Sequence, residues 1–148
     1  MTTPPGIPDE NSHATELRRR WTLPENAPFL VALRSALTSG TGDWRAMVRT
    51  WTQPWATEND LGGIPLAGAN LSGLDLTGVH LSYADLRGAT LTGCDLTDAS
   101  LTGADLREAR LVGAVLTRAN AVLVSARTDG TLLTGARMQG VRRGFLHP

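Results

Sequence analysis

The side chains best equipped for chemistry in this chain are few and scattered. The three histidines, His13, His80 and His147, have no metal-ligand spacing to any partner. A single cysteine, Cys94, can form no internal disulfide and supplies no metal cluster. Neither a phosphate loop nor a dinucleotide fingerprint occurs, and the many glycines recur at one fixed interval instead. His80 and Tyr83 could make a small surface site, but solvated decoration is the expected reading. No catalytic, cofactor-binding or metal-binding residue is therefore expected. The expectation is a protein that is not an enzyme and uses no cofactor. Charge offers more pattern: Asp75 recurs as Asp95, and Asp85 as Asp105, with Arg87 and Arg107 just beyond the second pair.

What must position these charges is a five-residue beat that begins at Asn59 and holds for fourteen units, to Thr128. Its third place is Leu twelve times running: Leu61, Leu66, Leu71, Leu76, Leu81, Leu86, Leu91, Leu96, Leu101, Leu106, Leu111 and Leu116. The first place is mostly Ala, with Ile64, Leu74, Val79 and Cys94 as variants. A short fixed period marks a repeat architecture. A helix turns once in 3.6 residues, so a beat of five drifts around its surface and keeps no apolar face. A strand alternates in twos, so residues five apart fall on opposite sides. A chain that turns a corner at every unit can send both Leu and the small residue inward each time. Gly, Asp and Asn around the Leu suit such corners. Cys94 then falls on an inward place, where a buried, inert thiol is expected.

The units ANLSG, ADLRG and ADLRE resemble the A-(D/N)-L-x-x consensus of the pentapeptide-repeat family. The resemblance covers residues 59–143 and implies an all-β solenoid: a right-handed quadrilateral (square) β-helix of about four coils. Four units would make one coil, and coils would stack at strand spacing into a rod about 20 Å long. Ala121 and Ala126 break the Leu rule, so the interior should thin there. Asp129 and Gly130 add two residues, after which Leu133 and Met138 resume the inward place. Some members of this family mimic duplex DNA and bind type II topoisomerases, giving resistance to quinolones or natural poisons. Ice binding would need flat Thr-x-Thr columns; Thr90 and Thr92 make one pair, stacked between Asn70 with Ser72 and Arg110 with Val112, too short an array.

The flanks read differently. Residues 1–11 are rich in Pro, Thr and acid and suggest a disordered tail. Residues 12–58 predict a small α-helical N-terminal cap. One helix should run from a Ser12 cap to Trp21, and a second from Asn26 and Pro28 to Gly40. A third should start at Asp43, with Trp44, Met47, Val48 and Trp51 on one face. All four tryptophans lie in this segment. A solenoid end needs covering, so Trp51 or Trp55 is expected on Leu61 and Leu66, unless the segment is a separate partner-binding module. Residues 144–148 form a C-terminal tail.

Charge is uneven along the rod although the total is zero. Residues 59–106 carry Arg87 against Asp60, Asp75, Asp85, Asp95, Asp98 and Asp105, while residues 107–148 carry seven Arg against Glu108 and Asp129. A broadly acidic DNA mimic fits this poorly. The expected function is non-catalytic protein–protein interaction or scaffolding, with DNA gyrase or topoisomerase binding as the alternative. The candidate partner surface comprises Asp75, Asp85, Asp95, Asp105, Arg137, Arg142, Arg143 and Phe145. The partner is another protein, with neither direct nucleic acid binding nor a membrane expected. A homodimer through the C-terminal end is also expected, where Leu132, Leu133, Met138 and Val141 have only Phe145 and Leu146 to cover them. The start of the chain lacks a basic and an apolar signal region, so a cytoplasmic bacterial protein is expected.

Overall fold

A computed structural model describes residues 10–40, 42–51, 59–117 and 130–137. Three short helices come first: α1 (Glu10–Arg19), α2 (Ala27–Ser39, entered through a 3-10 turn at Pro24–Asn26) and α3 (Trp44–Thr50). The remaining described chain is wound into coils. Parallel bridges join residues twenty apart, from Asp60 with His80 through Asp95 with Val115, so four units complete one coil. Residues 59–78, 79–98 and 99–117 are therefore stacked turns. Arg110 bridges Leu132 and Val115 bridges Arg137, an offset of twenty-two that absorbs the two extra residues without losing the stack.

Each unit makes only one bridge per neighbour because the chain turns after it. The corner is a β-turn: Ile64 N–H donates to Leu61 O at 3.1 Å, and the same bond recurs up the rod. The residue before each inward small residue has positive φ, as at Gly63 (72°) and Gly88 (65°). That is the type II turn pattern, which favours Gly there. The Asp that precedes Leu serves the turn in another way. Its carboxylate accepts the N–H two residues on, as from Thr77 to Asp75 at 3.0 Å and Thr97 to Asp95 at 3.0 Å.

Both inward places are filled. The twelve repeat leucines are 0–1% exposed, and Ala84, Ala89, Ala99, Ala104, Ala109 and Ala114 are sealed beside them. Cys94 is sealed too; its thiol donates to Leu71 O at 2.8 Å, and burial pushes its pKa up to about 11. The core continues without a break into the helices, through Trp21, Leu33, Leu37, Trp44 and Val48.

The helical segment departs from expectation at its start. Glu10 and Asn11 belong to α1, so the helix begins before Ser12, and residues 1–9 lie outside the described residues. It also stops at Arg19, two residues short of Trp21. There Trp21 N–H and Thr22 N–H bond back to Arg18 O and Arg19 O, tightening the last turn. This frees Arg20 and Trp21 to face the first coil. The other two boundaries agree: Gly40 closes α2 in the left-handed region (φ 66°), and Asp43 caps α3 by accepting Ala46 N–H at 3.0 Å. Asn26 precedes α2 but caps with no side-chain bond, since its amide donates to Arg20 O at 2.7 Å. Trp51 stacks on Phe29, ring centroids 3.8 Å apart, and leans on Trp21. Trp55, Ala121, Ala126, Met138, Val141, Leu146 and His147 lie outside the described residues.

Candidate interaction surface

The top of coil one is a sheet edge, and an uncovered edge is a template for unwanted pairing. Side chains from the helices cover it. Gly62 O accepts from Arg20 Nε (3.2 Å), Arg20 Nη2 (2.7 Å) and Trp21 Nε1 (2.8 Å). Arg20 also grips Asp60 through both carboxylate oxygens, at 2.9 and 2.7 Å. Burial pushes the Asp60 carboxyl up, but this fork, the Gly62 N–H and nearby cations outweigh it, and the pKa lies below the ordinary value. Arg45 does the same work from α3, donating to Asp75 O (3.2 Å), Thr77 O (2.9 Å) and the Asn59 side chain. On a third side, Arg18 Nε donates to Tyr83 O at 3.2 Å, and His13 meets the Tyr83 ring edge-on.

Sequence patterning does not reveal Arg18, Arg20 and Arg45, each of which has at least one backbone carbonyl among its targets. Tyr83 did carry a signal: it occupies a corner place where most units have Gly, at φ 59°. Its ring lies over Gly103 of the next coil, where an added Cβ would sit 2.5 Å from Tyr83 Cδ1.

The acidic candidates divide between two opposite sides of the rod. Asp75 and Asp95 bridge each other on one side. Asp75 is exposed, bonded to Thr77 and 3.7 Å from Arg45, and the Thr77 hydrogen bonds hold its pKa down. Asp95 accepts both the N–H and the hydroxyl of Thr97. On the other side, Asp85 and Asp105 bridge each other, and each is forked by the Arg two places on. Arg87 Nε and Nη2 reach Asp85 at 2.8 Å each, and Arg107 reaches Asp105 at 2.8 and 2.6 Å. The Arg87 fork lowers the Asp85 pKa and raises that of Arg87 in return. Arg137 is exposed at the fourth level of the first side. Arg142, Arg143 and Phe145 lie outside the described residues.

Between the Asp–Arg column and the end of α1 runs an open groove of about 400 Å³. It is lined by Arg18, Trp21 and Thr22 from the helical segment and by Pro65 and the two Asp–Arg pairs from the coils. Among the described residues, no cluster of three or more His, Cys, Asp or Glu could hold a metal ion, and no helix is long and apolar enough to cross a membrane.

Leu-lined coils of four five-residue units, stacked through parallel bridges, define a β-solenoid of repeats. The family model for pentapeptide repeats matches residues 60–98 and 94–122, with eight copies. Among solved structures, the chain is 36% identical to a pentapeptide repeat protein from the Arabidopsis thaliana thylakoid lumen, over 55% of this chain and 59% of that one (TM-score 0.42). It is 32% identical to HetL of the cyanobacterium Nostoc, a pentapeptide repeat protein involved in heterocyst differentiation regulation, over 60% and 55% (TM-score 0.33). A second Nostoc pentapeptide repeat protein is also 32% identical, over 72% of each chain (TM-score 0.31). The chain thus spans under two thirds of the first two. No curated protein matches it. This chain belongs to the pentapeptide-repeat family.

Proposed function

We propose that this protein is a non-catalytic interaction or scaffold protein, a rigid rod that presents ordered side chains to another protein. The observation that carries the reading is the repetition of polar pairs at a fixed vertical interval on a sealed core, with Asp85–Arg87 directly beneath Asp105–Arg107. Such an array is preorganised, so a partner that matches it loses little ordering entropy on binding. The rod we infer is a right-handed square β-helix of about four coils, which the bridges from coil three to Leu132 and Arg137 support.

The alternative, a topoisomerase binder that imitates DNA, requires carboxylates that present net negative charge. Asp60, Asp85 and Asp105 are each paired with an Arg, which favours the scaffold. The test is affinity capture from an extract of the source cell with the tagged full chain. A specific retained protein is expected, and its absence would remove the reading. Retained gyrase subunits, or protection of purified gyrase against a quinolone in a supercoiling assay at micromolar protein, would put the alternative in its place.

A further inference from the structure

The groove beside α1 has a chemical bias that its mixed lining conceals. Asp85 and Asp105 face it, but both are committed: each accepts a bidentate Arg fork and a backbone N–H from the residue two places on. What remains to meet a ligand is the outer edge of the guanidinium groups. Arg87 uses Nε and Nη2 on Asp85, and its Nη1 bonds no described residue. Arg18 uses only Nε, on Tyr83 O, so both of its terminal nitrogens are open among the described residues. These two cations line one groove, Arg18 from the helical segment and Arg87 from the second coil, with Arg107 also in its lining. Each is held by its own hydrogen bonds, so little side-chain entropy is lost when an anion docks.

The lining narrows the choice of ligand. Gly63 is packed against the α1 backbone and Gly103 lies under the Tyr83 ring, so what meets a ligand is the row of cations with Thr22 and Pro65 between them. The volume of about 400 Å³ falls in the ordinary range for ligand clefts, about 300–1,000 Å³. A duplex backbone would bring a continuous row of phosphates past Asp85 and Asp105. A short peptide brings separate carboxylates that the forked donors can meet one at a time.

We propose that this groove binds an extended acidic segment of a partner protein, with carboxylates held by Arg18 and Arg87. The proposal rests on the interaction reading above and names the partner's chemistry.

The test is fluorescence anisotropy of a fluorescein-labelled octapeptide of alternating Glu and Ser, with the Gln-and-Ser peptide as control. Saturable, salt-sensitive binding of the acidic peptide alone is expected. Arg18→Ala combined with Arg87→Ala should weaken it about tenfold or more, while Arg34→Ala, exposed on α2 outside the groove, should leave it unchanged. Should the double variant misfold, Arg18→Ala alone and Arg87→Lys, which keeps the charge but loses the fork, should each weaken binding. Unaltered affinity in these variants, equal binding of the Gln peptide, or no saturation at millimolar peptide would overturn the proposal. So would preference for a single-stranded oligonucleotide. If captured protein is still retained by the double variant, the groove proposal fails and the interaction reading stands. Peptide binding with no captured protein has the opposite meaning.

Discussion

At the scale of single residues, two glycines with the same backbone make a controlled comparison. Gly88 and Gly103 both have φ 65°, but a Cβ at Gly88 meets nothing within 4 Å, whereas at Gly103 it meets the Tyr83 ring. Gly88→Ala is expected to cost about 1 kcal/mol, the ordinary penalty of a left-handed L-residue. Gly103→Ala should cost about 2 kcal/mol more, from overpacking. Urea denaturation measures both, and adding Tyr83→Ala should remove the excess; an equal cost at the two sites would contradict the ring's position. Leu96, sealed between Leu76 and Leu116, should lose about 2–5 kcal/mol on truncation to Ala. These leucines were legible in the sequence because a five-residue beat fits neither helix nor strand, whereas a corner at every unit keeps them all inward. Tyr83 was less legible, since nothing in the beat reveals that its ring crosses to the next coil and to α1.

At the scale of elements, the joint between helices and first coil depends on Arg20 and Arg45. Neither was legible, because their backbone carbonyl targets leave no mark in the sequence and their side-chain partners, Asp60 for Arg20 and Asn59 for Arg45, lie fourteen to forty residues away. The helix limits near Gly40 and Asp43 were legible, since φ > 0 and a capping carboxylate are properties of those residue types. The α1 end was misplaced because Trp21 obeys its indole bond to Gly62 rather than helical spacing. Arg20→Ala would leave Asp60, itself only 20% exposed, facing the joint unpaired. It should cost about 3 kcal/mol or more and loosen the helices before the coils, visible as early loss of Trp fluorescence on heating. Acid should act on the same joint through Asp60, and on the Asp–Arg column through Asp85. The folded pKa values of Asp60 and Asp85 lie below their ordinary 3.8, so the folded protein binds fewer protons than the unfolded chain in that region. Their contribution is full above pH 3.8 and is lost as pH falls through the folded values. Melting temperature should drop below that point, and less steeply in Asp60→Asn.

At the scale of the whole molecule, a repeat architecture was legible from the period and its solenoid form from the family resemblance, and the two-residue offset was legible as Asp129 and Gly130. The groove was not, because it arises where α1 crosses a corner that lies forty residues and more away in sequence. The far end is where a second copy is expected to dock. Leu133 and Ala136 pack against the core on the last described level, and the sequence continues into Phe145 and Leu146. Sedimentation at tens of micromolar should give twice the monomer mass, and Phe145→Asp should halve it, since an unpaired buried carboxylate is costly. A monomeric wild-type protein would end that proposal.

The carbonyls closed by Arg20, Trp21 and Arg45 have a further consequence, for polymerisation. A bare solenoid has two sticky ends, and a rod of that kind can add copies head to tail without limit. Among the described residues the helical end is covered, which withdraws that edge from head-to-tail addition. The pair proposed for the far end would then stop at two copies instead of seeding a fibre. Removing the helical segment that carries Arg20, Trp21 and Arg45 should therefore open that edge to head-to-tail growth.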